Sequence, residues 1–298
     1  MLLITGITGR SGKYLLKYII KNEKKFPFKE ITLLVREPSK VNTPENISIS
    51  FNVVKGNLND EKSLNHLMKN VNTVLHIASI HYSTNIVSAA IKNDVKKIIL
   101  VHTTGIFSKY KSANFEYKNI EKNISKLQQK YNLDISIIRP TMIFGSLDDN
   151  NMSVFIKLID KFKLIPVVNK GEFLLQPVHQ ADLASAYYLM LLNIDKTINK
   201  NYVISGKEPI FLIDVLKIIS KFLGVKRKFL SIPFSFAYLV SFIIYLVTFT
   251  KIDYREKVQR LIEDRAFEHN DVKKDFGYDP LDFETRIKQE IELYLSKK

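Results

Sequence analysis

Short, almost continuous apolar runs alternate with amphipathic stretches through the first half of the chain. Such runs are typical of strands that helices cover on both faces of a parallel sheet. Six strands are predicted, at Leu2–Thr5, Ile31–Val35, Ser50–Val54, Thr73–Ile77, Lys97–His102 and Ile135–Arg139. Four helices are predicted between them, at Gly12–Asn22, Glu61–Lys69, Asn85–Asn93 and Phe115–Tyr131. The pattern predicts an α/β protein with a Rossmann-type, doubly wound parallel sheet.

This alternation ends near Pro140, where a polar loop at residues 148–151 begins a different pattern. Residues 176–192 have the pattern of a short strand and a helix that return to the first domain. We therefore predict a Rossmann domain at residues 1–148, with a return segment at 176–204. Residues 149–175 and 205–298 are predicted to form a smaller, mostly helical lobe for a substrate.

One stretch, residues 229–250, contains no charged residue. Its length is near the roughly 20 residues that a membrane-spanning helix needs. However, Pro233 and three serines make it less apolar than a typical span, and a span would separate the last residues from the domain they complete. We expect buried helices of the smaller lobe here, with an interfacial membrane anchor as the alternative and a true span as the least favoured.

The first predicted strand runs directly into a glycine-rich turn, Thr5-Gly6-Ile7-Thr8-Gly9-Arg10-Ser11-Gly12, and then into a helix. Gly6 permits a tight turn, Gly9 lets the backbone approach a pyrophosphate, and Gly12 lets the helix pack close to the strand. The N–H groups and the dipole at the helix start attract phosphates. In this strand–turn–helix context the pattern predicts a dinucleotide site that includes Gly6, Thr8, Gly9, Arg10, Ser11 and Gly12.

The end of the second strand bears on the choice of dinucleotide. An NAD site usually places an acidic residue there to bind the ribose 2′-hydroxyl. This chain has Arg36 instead, and together with Arg10 it can clamp a 2′-phosphate. Glu37 keeps the alternative open, because a shift of one residue would restore an acid. We predict NADP(H) as the preferred cofactor and NAD(H) as the alternative.

Composition narrows the classes of site and partner. The chain has no cysteine, which excludes disulfides, thiolate metal sites and a cysteine nucleophile. Its six histidines show no metal-ligand spacing, so no metal is predicted. The net charge of +15 is scattered without a DNA-reading motif, which favours a basic surface over a nucleic-acid partner. Because the first strand begins next to Met1, we expect no targeting segment and a cytoplasmic location, with membrane association only through residues 229–250. A homo-oligomer is compatible with the sequence.

Four further segments, at residues 56–60, 74–79, 138–145 and 177–184, follow the glycine turn in order. Together they resemble segments of the short-chain dehydrogenase/reductase superfamily, in its NAD-dependent epimerase/dehydratase branch. The family usually has an aspartate that contacts the adenine at the position of Asn57. The resemblance therefore implies that Asn57 and the adjacent Leu58 contact the adenine. It also implies that four other residues line the rest of the cofactor: Ala78, Ser79, Pro140 and Thr141.

The same resemblance implies a catalytic tyrosine and a lysine four residues later, on one face of a helix. The expected helix lacks this pair. When Glu121 is aligned with the acidic residue that commonly follows the lysine, Tyr117 falls at the lysine position and Ala113 at the tyrosine position. A hydroxyl after the fifth strand, which would polarise the substrate oxygen, is present as Thr103 and Thr104.

Other side chains near these positions are candidate substitutes for the missing pair. They are two tyrosines, three lysines and a His-Tyr pair just past the fourth strand: Tyr110, Tyr117, Lys109, Lys111, Lys118, His81 and Tyr82. A surface or packing role is the alternative for each. His76 and His102 are expected in the core or along the cofactor. The candidate catalytic residues are Thr103, Thr104, Tyr117 and His81.

Two functions remain open at this point. The smaller lobe and the resemblance favour an enzyme, an NAD(P)-dependent oxidoreductase, epimerase or dehydratase acting on a nucleotide-linked sugar or another small carbonyl or alcohol substrate. In lacking the Tyr-Lys pair, the chain resembles atypical members of the superfamily, such as NmrA-like regulators and relatives of a complex I accessory subunit. The absence of this pair favours a non-catalytic NADP(H)-binding sensor or assembly factor that acts through protein contacts. We expect the enzyme, although fold analogy alone does not establish function.

Overall fold

Strands and helices alternate through the first half of the computed structural model, which describes residues 1–298, and the last four elements are all helices. The strands are β1 (Leu2–Thr5), β2 (Glu30–Val35), β3 (Ser50–Lys55), β4 (Thr73–His76), β5 (Lys97–Val101), β6 (Asp134–Pro140), β7 (Ile143–Phe144), β8 (Leu164–Val168), β9 (Leu174–Leu175), β10 (Val178–His179), β11 (Asn201–Ile204), β12 (Ile210–Phe211) and β13 (Lys228–Ile232). The helices are α1 (Arg10–Lys21), α2 (Glu61–Leu67), α3 (Ser83–Lys92), α4 (Asn114–Tyr131), α5 (Met152–Lys161), α6 (Gln180–Leu192), α7 (Ile194–Thr197), α8 (Leu212–Phe222), α9 (Phe234–Val247), α10 (Arg255–Arg260), α11 (Asn270–Phe276) and α12 (Phe283–Leu295).

Seven strands form one parallel sheet in the order β11-β6-β5-β4-β1-β2-β3. The order reverses at β1, which pairs with β2 on one side and β4 on the other. A crevice opens at such a reversal, outside the carboxyl ends of the strands. The predicted doubly wound α/β fold is confirmed, and each end of the six predicted strands agrees with the structure to within one residue.

The seventh strand, β11, is not predicted from the sequence. It pairs in parallel with β6, with Tyr202 opposite Ile138, and extends the sheet by one edge strand. Only four residues long, it begins with the exposed Asn201. Its apolar part, residues 202–204, is only three residues long, below the roughly 4–8 consecutive apolar residues that indicate a buried strand.

Successive residues of β1 point to opposite faces of the sheet, and both faces are covered. Leu2 and Ile4 join a buried cluster that α1 and α6 complete. Leu3 joins a second cluster, to which α2, α3 and α4 contribute. The sheet is therefore buried on both faces, which explains the continuous apolar runs in its strands.

A third buried cluster lies outside the sheet and unites α5, β8, α8 and α12. Its members come from two separated parts of the chain, residues 144–175 and 212–291. A buried ion pair joins α12 to α6, with Arg286 Nε donating to Asp182 Oδ2 at 2.8 Å. The domain limits at residues 1–148, 149–175, 176–204 and 205–298 stay a prediction.

The uncharged run at residues 229–250 is not buried, so the expectation of buried helices is wrong. It forms most of β13 and all of α9, and in α9 only Ala237 and Ser241 are buried. The helix packs through these two small residues and leaves its larger apolar side chains exposed. None of the helices has both the length and the apolar character that crossing a membrane would require.

Candidate functional site

A cleft of about 950 Å³ lies at the carboxyl ends of the parallel strands. Each strand from β1 to β6 contributes residues from its end or from the loop that follows. Most of the predicted cofactor residues line it, namely Gly6, Thr8, Gly9, Arg10, Ser11, Arg36, Asn57, Leu58, Ala78, Ser79 and Thr141. The fold thus gathers residues that are up to 135 positions apart in the sequence around one cleft.

The glycine turn begins with a residue in the left-handed region, since Gly6 has a φ of +81°. A Cβ at Gly6 would also lie 2.7 Å from the backbone nitrogen of Ala78, so this position requires glycine. Gly12 does not line the cleft. A Cβ there would lie 2.6 Å from the Ile7 carbonyl oxygen, so its lack of a side chain lets α1 pack against the turn.

The start of α1 is suited to an anion. Gly9 is the residue before the helix, and no side chain caps the N–H groups of the first turn. The first turn also contains no acidic residue. Uncapped N–H groups and the helix dipole together favour phosphate at this end of the cleft.

Three cations and one carboxylate surround the region beyond β2. Arg36, Glu37 and Lys40 all line the cleft, with Arg10 facing them from the glycine turn. Lys40 Nζ lies 2.8 Å from Glu37 Oε2 and lowers the pKa of that carboxyl, as does the charge of Arg36 to a smaller extent. Arg10 lies 3.3 Å from Asp148 Oδ2. Because Lys40 neutralises Glu37, this end of the cleft keeps an excess of positive charge.

A buried histidine fixes the loop after β4. His76 Nε2 lies 3.2 Å from the Ser79 carbonyl oxygen, which can only accept, so Nε2 carries the proton. His76 Nδ1 then accepts from the Thr5 hydroxyl at 2.7 Å. Burial lowers the pKa of His76 to about 4, which keeps the ring neutral. His76 therefore orients the Ala78–Ser79 backbone and does not face the cleft itself.

The two threonines after β5 differ in their hydrogen bonds. Thr104 Oγ1 donates to the Pro140 carbonyl oxygen at 3.1 Å, so its proton is engaged. Thr103 Oγ1 accepts from the Gly105 N–H at 3.0 Å and retains its own proton. Both line the cleft, but Thr103 also borders the adjoining cavity. Their positions in the sequence do not separate the two threonines, and the geometry favours Thr103 as the free donor.

A smaller cavity of about 340 Å³ adjoins the cleft and shares Ser11, Ser79 and Thr103 with it. It brings together His81, Lys111, Tyr117 and Pro140. The rings of His81 and Tyr117 lie 5.8 Å apart, and Lys111 Nζ lies 5.9 Å from the centre of the Tyr117 ring. His81 Nδ1 is 2.7 Å from Glu116 Oε1. A phenol, an imidazole and an ammonium group therefore meet at this cavity.

The other predicted substitutes do not reach this cavity. Tyr110, Lys109 and Lys118 are exposed and line neither the cleft nor the smaller cavity. Tyr82 lines the cleft. No group of three or more His, Asp and Glu side chains is arranged to hold a metal ion.

Glu121, four residues after Tyr117, takes part in a buried network. Its carboxylate accepts from Arg139 Nε at 3.0 Å and from His102 Nδ1 at 2.9 Å. Burial acts to raise the pKa of Glu121, but these two hydrogen bonds and the Arg139 charge outweigh it, so the pKa is lowered. The network anchors α4 to β5 and β6, and it accounts for Glu121 and Arg139 without a role in chemistry.

Two arginines that the sequence motifs do not reveal complete the cleft. Arg260 is the last residue of α10, and Arg265 and Phe267 lie in the segment that follows; all three line the cleft. The Nε atoms of both arginines are buried and have no hydrogen-bond partner. Burial, together with the nearby charge of Arg260, lowers the pKa of Arg265 to about 10. Nothing in the local sequence marks them, because they lie more than a hundred residues from the motifs they face.

A comparison with known families identifies the nucleotide-binding part of the chain. A family described as NAD(P)H-binding matches residues 6–162, just over half of the chain. The chain belongs to this NAD(P)H-binding family. The match begins at Gly6 and includes every predicted cofactor residue.

Solved structures similar to this NAD(P)H-binding protein share its fold over almost the whole length. The crystal structure of gox2253 is 20% identical, with a TM-score of 0.76 over 100% of this chain and 98% of that one. UDP-glucose 4-epimerase from Thermotoga maritima, with UDP-glucose, is 14% identical, with a TM-score of 0.73 over 99% of each chain. A double mutant of DesIV, a dTDP-glucose 4,6-dehydratase from Streptomyces venezuelae with NAD bound, is 14% identical, with a TM-score of 0.74 over 99% of this chain and 97% of that one.

These likenesses confirm the predicted resemblance to the epimerase/dehydratase branch of the short-chain dehydrogenase/reductase superfamily at the level of the fold. No curated protein matches the chain.

Proposed function

We propose that the protein is an NADP(H)-dependent oxidoreductase that acts on the carbonyl of a small anionic substrate, such as a nucleotide-linked sugar. The observation that carries this proposal is the pair of buried, unpartnered Nε atoms of Arg260 and Arg265 in the cleft. A buried charged donor without a partner is costly, and an anionic ligand would remove that cost. The cofactor phosphates are expected at the opposite end, on α1 and Arg36, so these arginines are left for the substrate.

The chain fits the cofactor at two points. The glycine turn leaves no room for a Cβ at Gly6, and the start of α1 offers uncapped N–H groups. NADP(H), when bound, would supply or accept a hydride. Asn57 and Leu58 would hold the adenine end, while Thr103, Pro140 and Thr141 would hold the reacting end.

Tyr117 is the proposed proton donor. Burial raises its pKa, and the charge of Glu116 adds to the increase, although Arg260 opposes it. Like any tyrosine whose pKa is at or above its usual value, Tyr117 is protonated at neutral pH and can give a proton to a carbonyl oxygen. The Thr103 hydroxyl, whose proton is free, would donate a hydrogen bond to the same oxygen. This arrangement favours carbonyl reduction over alcohol oxidation.

The proposed preference for NADP(H) predicts a selective loss when Arg36 is replaced. Removing one desolvated charged contact to the 2′-phosphate costs about 1.5–3 kcal/mol, roughly ten- to a hundredfold in affinity. Arg36→Ala should therefore weaken NADPH binding by that factor and leave NADH binding nearly unchanged, as measured by calorimetry. Lys55→Ala is the matched control, because Lys55 lies opposite Val35 on the neighbouring strand, is exposed and does not line the cleft. Equal losses for both nucleotides would contradict the assignment.

The substrate proposal is tested by substituting Arg265. We expect the purified protein to oxidise NADPH in the presence of a member of a carbonyl panel that includes nucleotide-linked keto sugars. Calorimetry with UDP in the presence of NADP⁺ should then show binding that Arg265→Ala weakens about ten- to a hundredfold, because a buried charged hydrogen bond is lost. NADP⁺ affinity itself should change little.

Lys257→Ala is the control for Arg265→Ala. Lys257 carries the same charge on the same segment but is exposed and outside the cleft. If Arg265→Ala binds UDP as the wild type does, the anionic subsite is wrong. If the protein binds NADPH tightly and turns over no member of the panel, the absence of the Tyr-Lys pair would indicate instead an NADP(H) sensor that acts through protein contacts.

A further inference from the structure

One face of α9 presents a stripe of large apolar side chains to solvent. The stripe consists of Phe236, Leu239, Val240, Ile243, Leu246 and Val247, which are between 39% and 71% exposed. Their spacing of three and four residues places them on one side of the helix. The opposite side packs through Ala237 and Ser241. This face is large and apolar, and no other part of the chain covers it.

The apolar surface continues beyond both ends of the helix. Leu230, on β13 before the helix, is 51% exposed. Phe249, just after the helix, is 83% exposed and has a φ of +51°, a conformation that bulky residues rarely adopt. Its ring is held outward at the C-terminal end of α9. Exposed phenylalanine and leucine side chains are typical of the apolar face of helices that lie at a membrane interface.

Basic side chains flank the stripe at both ends. Lys226 and Lys228 precede the stripe and are exposed. A third exposed lysine, Lys163, lies beside them, because its carbonyl oxygen accepts a hydrogen bond from the Lys228 backbone N–H. Lys251 and Lys257 are exposed after it. The acidic residue nearest this end, Asp253, is already paired with Arg255 at 2.7 Å. The surface around the stripe is therefore net positive.

These charges decide which occupant the stripe fits. Two copies of α9 packed side by side, in either direction, would bring basic end against basic end, and like charges would repel. A helix of 14 residues is also about 21 Å long, shorter than the roughly 30 Å hydrocarbon core of a bilayer. An anionic lipid surface meets both features, because acyl chains take the apolar stripe and headgroups pair with the lysines.

We propose that α9 docks the protein onto the surface of a bilayer that contains anionic lipids, lying in the plane of the interface. The helix is joined to the cleft through α10, whose Glu256 accepts a hydrogen bond from the Ser112 hydroxyl at 2.7 Å. Docking thus holds the membrane next to the segment that carries Arg260 and Arg265.

Co-sedimentation of the full chain with lipid vesicles tests this proposal. The protein should pellet with vesicles of phosphatidylcholine mixed with phosphatidylglycerol and much less with phosphatidylcholine alone. Binding should fall as salt rises, because the Debye length shrinks from about 10 Å at 0.1 M to about 3 Å at 1 M. Leu239→Asp with Ile243→Asp should reduce the bound fraction at least about tenfold, since both would place charge in the acyl region.

Tyr131→Asp is the matched control for the paired substitution. Tyr131 is 39% exposed and ends α4, outside the apolar stripe and its basic flanks, so this variant should bind vesicles as the wild type does. Lys226→Glu with Lys228→Glu should reduce binding only to the anionic vesicles.

Several outcomes would overturn membrane docking. These are unchanged binding by Leu239→Asp with Ile243→Asp, a wild-type protein that stays in the supernatant with both vesicle types, and a dimer in light scattering that the same paired substitution dissociates. Unchanged binding by the paired variant would place the membrane contact elsewhere on the protein. A wild-type protein that stays in the supernatant would leave a protein partner for the stripe, and a dimer that the paired substitution dissociates would assign the stripe to a second copy of the chain.

Discussion

Gly9→Val should abolish nucleotide binding while the protein stays folded. Gly9 lines the cleft where α1 begins, so the branches of a valine would occupy space that the pyrophosphate needs. Its φ of −71° is accessible to any residue, so the effect comes from the side chain alone. We expect NADPH affinity to fall by at least about a hundredfold, a loss of about 2.8 kcal/mol, as measured by calorimetry.

The cost of Gly9→Val in stability should be small. Valine is a poorer residue than glycine at the start of a helix, by about 1 kcal/mol or less. A chain of this size should then lose only a few degrees in its unfolding midpoint. Gly12→Ala is the contrasting variant, because its Cβ would lie 2.6 Å from the Ile7 carbonyl oxygen and would force α1 away from the turn. Wild-type NADPH binding by Gly9→Val would show that the turn is not the phosphate site.

Much of the fold is predictable from sequence because its signals are local. The strands of a sheet covered on both faces are apolar runs, as in residues 97–101, whose last four residues are buried. The glycine turn is equally local, since the requirement at Gly6 arises within one loop. The edge strand β11 carries only three consecutive apolar residues, at positions 202–204, and this run is too short to be recognised in the same way.

The exposure of α9 is not predictable from its composition. An uncharged run indicates that a segment avoids water, but it does not say whether protein or lipid replaces the water. The small residues Ala237 and Ser241 lie four positions apart on the packed side, and this spacing was the available signal. It is too weak to establish burial without knowledge of the neighbouring elements.

The site shows the same division between local and distant signals. Thr103 and Thr104 follow the fifth strand, as the motif predicts, but only the hydrogen bond from Thr104 to the Pro140 carbonyl separates their roles. Lys111 reaches the ring of Tyr117 through the turn of the loop before α4. Arg260 reaches the cleft from the end of α10. Such contacts depend on tertiary structure, which residue types at fixed spacing do not encode.

Replacing Tyr117 with phenylalanine should cut turnover while leaving NADPH affinity almost unchanged. Phenylalanine keeps the ring that faces His81 and Lys111 at 5.8 and 5.9 Å and removes only the hydroxyl. A general acid of this kind contributes about 10²–10⁴ in rate. We therefore expect the rate constant for carbonyl reduction to fall by at least about a hundredfold, measured by single-turnover oxidation of NADPH with the substrate found in the panel.

Tyr110→Phe is the control for this loss, because Tyr110 is 37% exposed and lines neither cavity, and it should turn over at the wild-type rate. Normal turnover by Tyr117→Phe would remove Tyr117 from the chemistry and leave water or His81 as the proton source. His81 lies 2.7 Å from Glu116, so His81→Gln would then separate the two, since a proton from water needs no imidazole. A loss of NADPH affinity in Tyr117→Phe that matched the loss of turnover would instead show that the phenol holds the cofactor rather than the substrate proton.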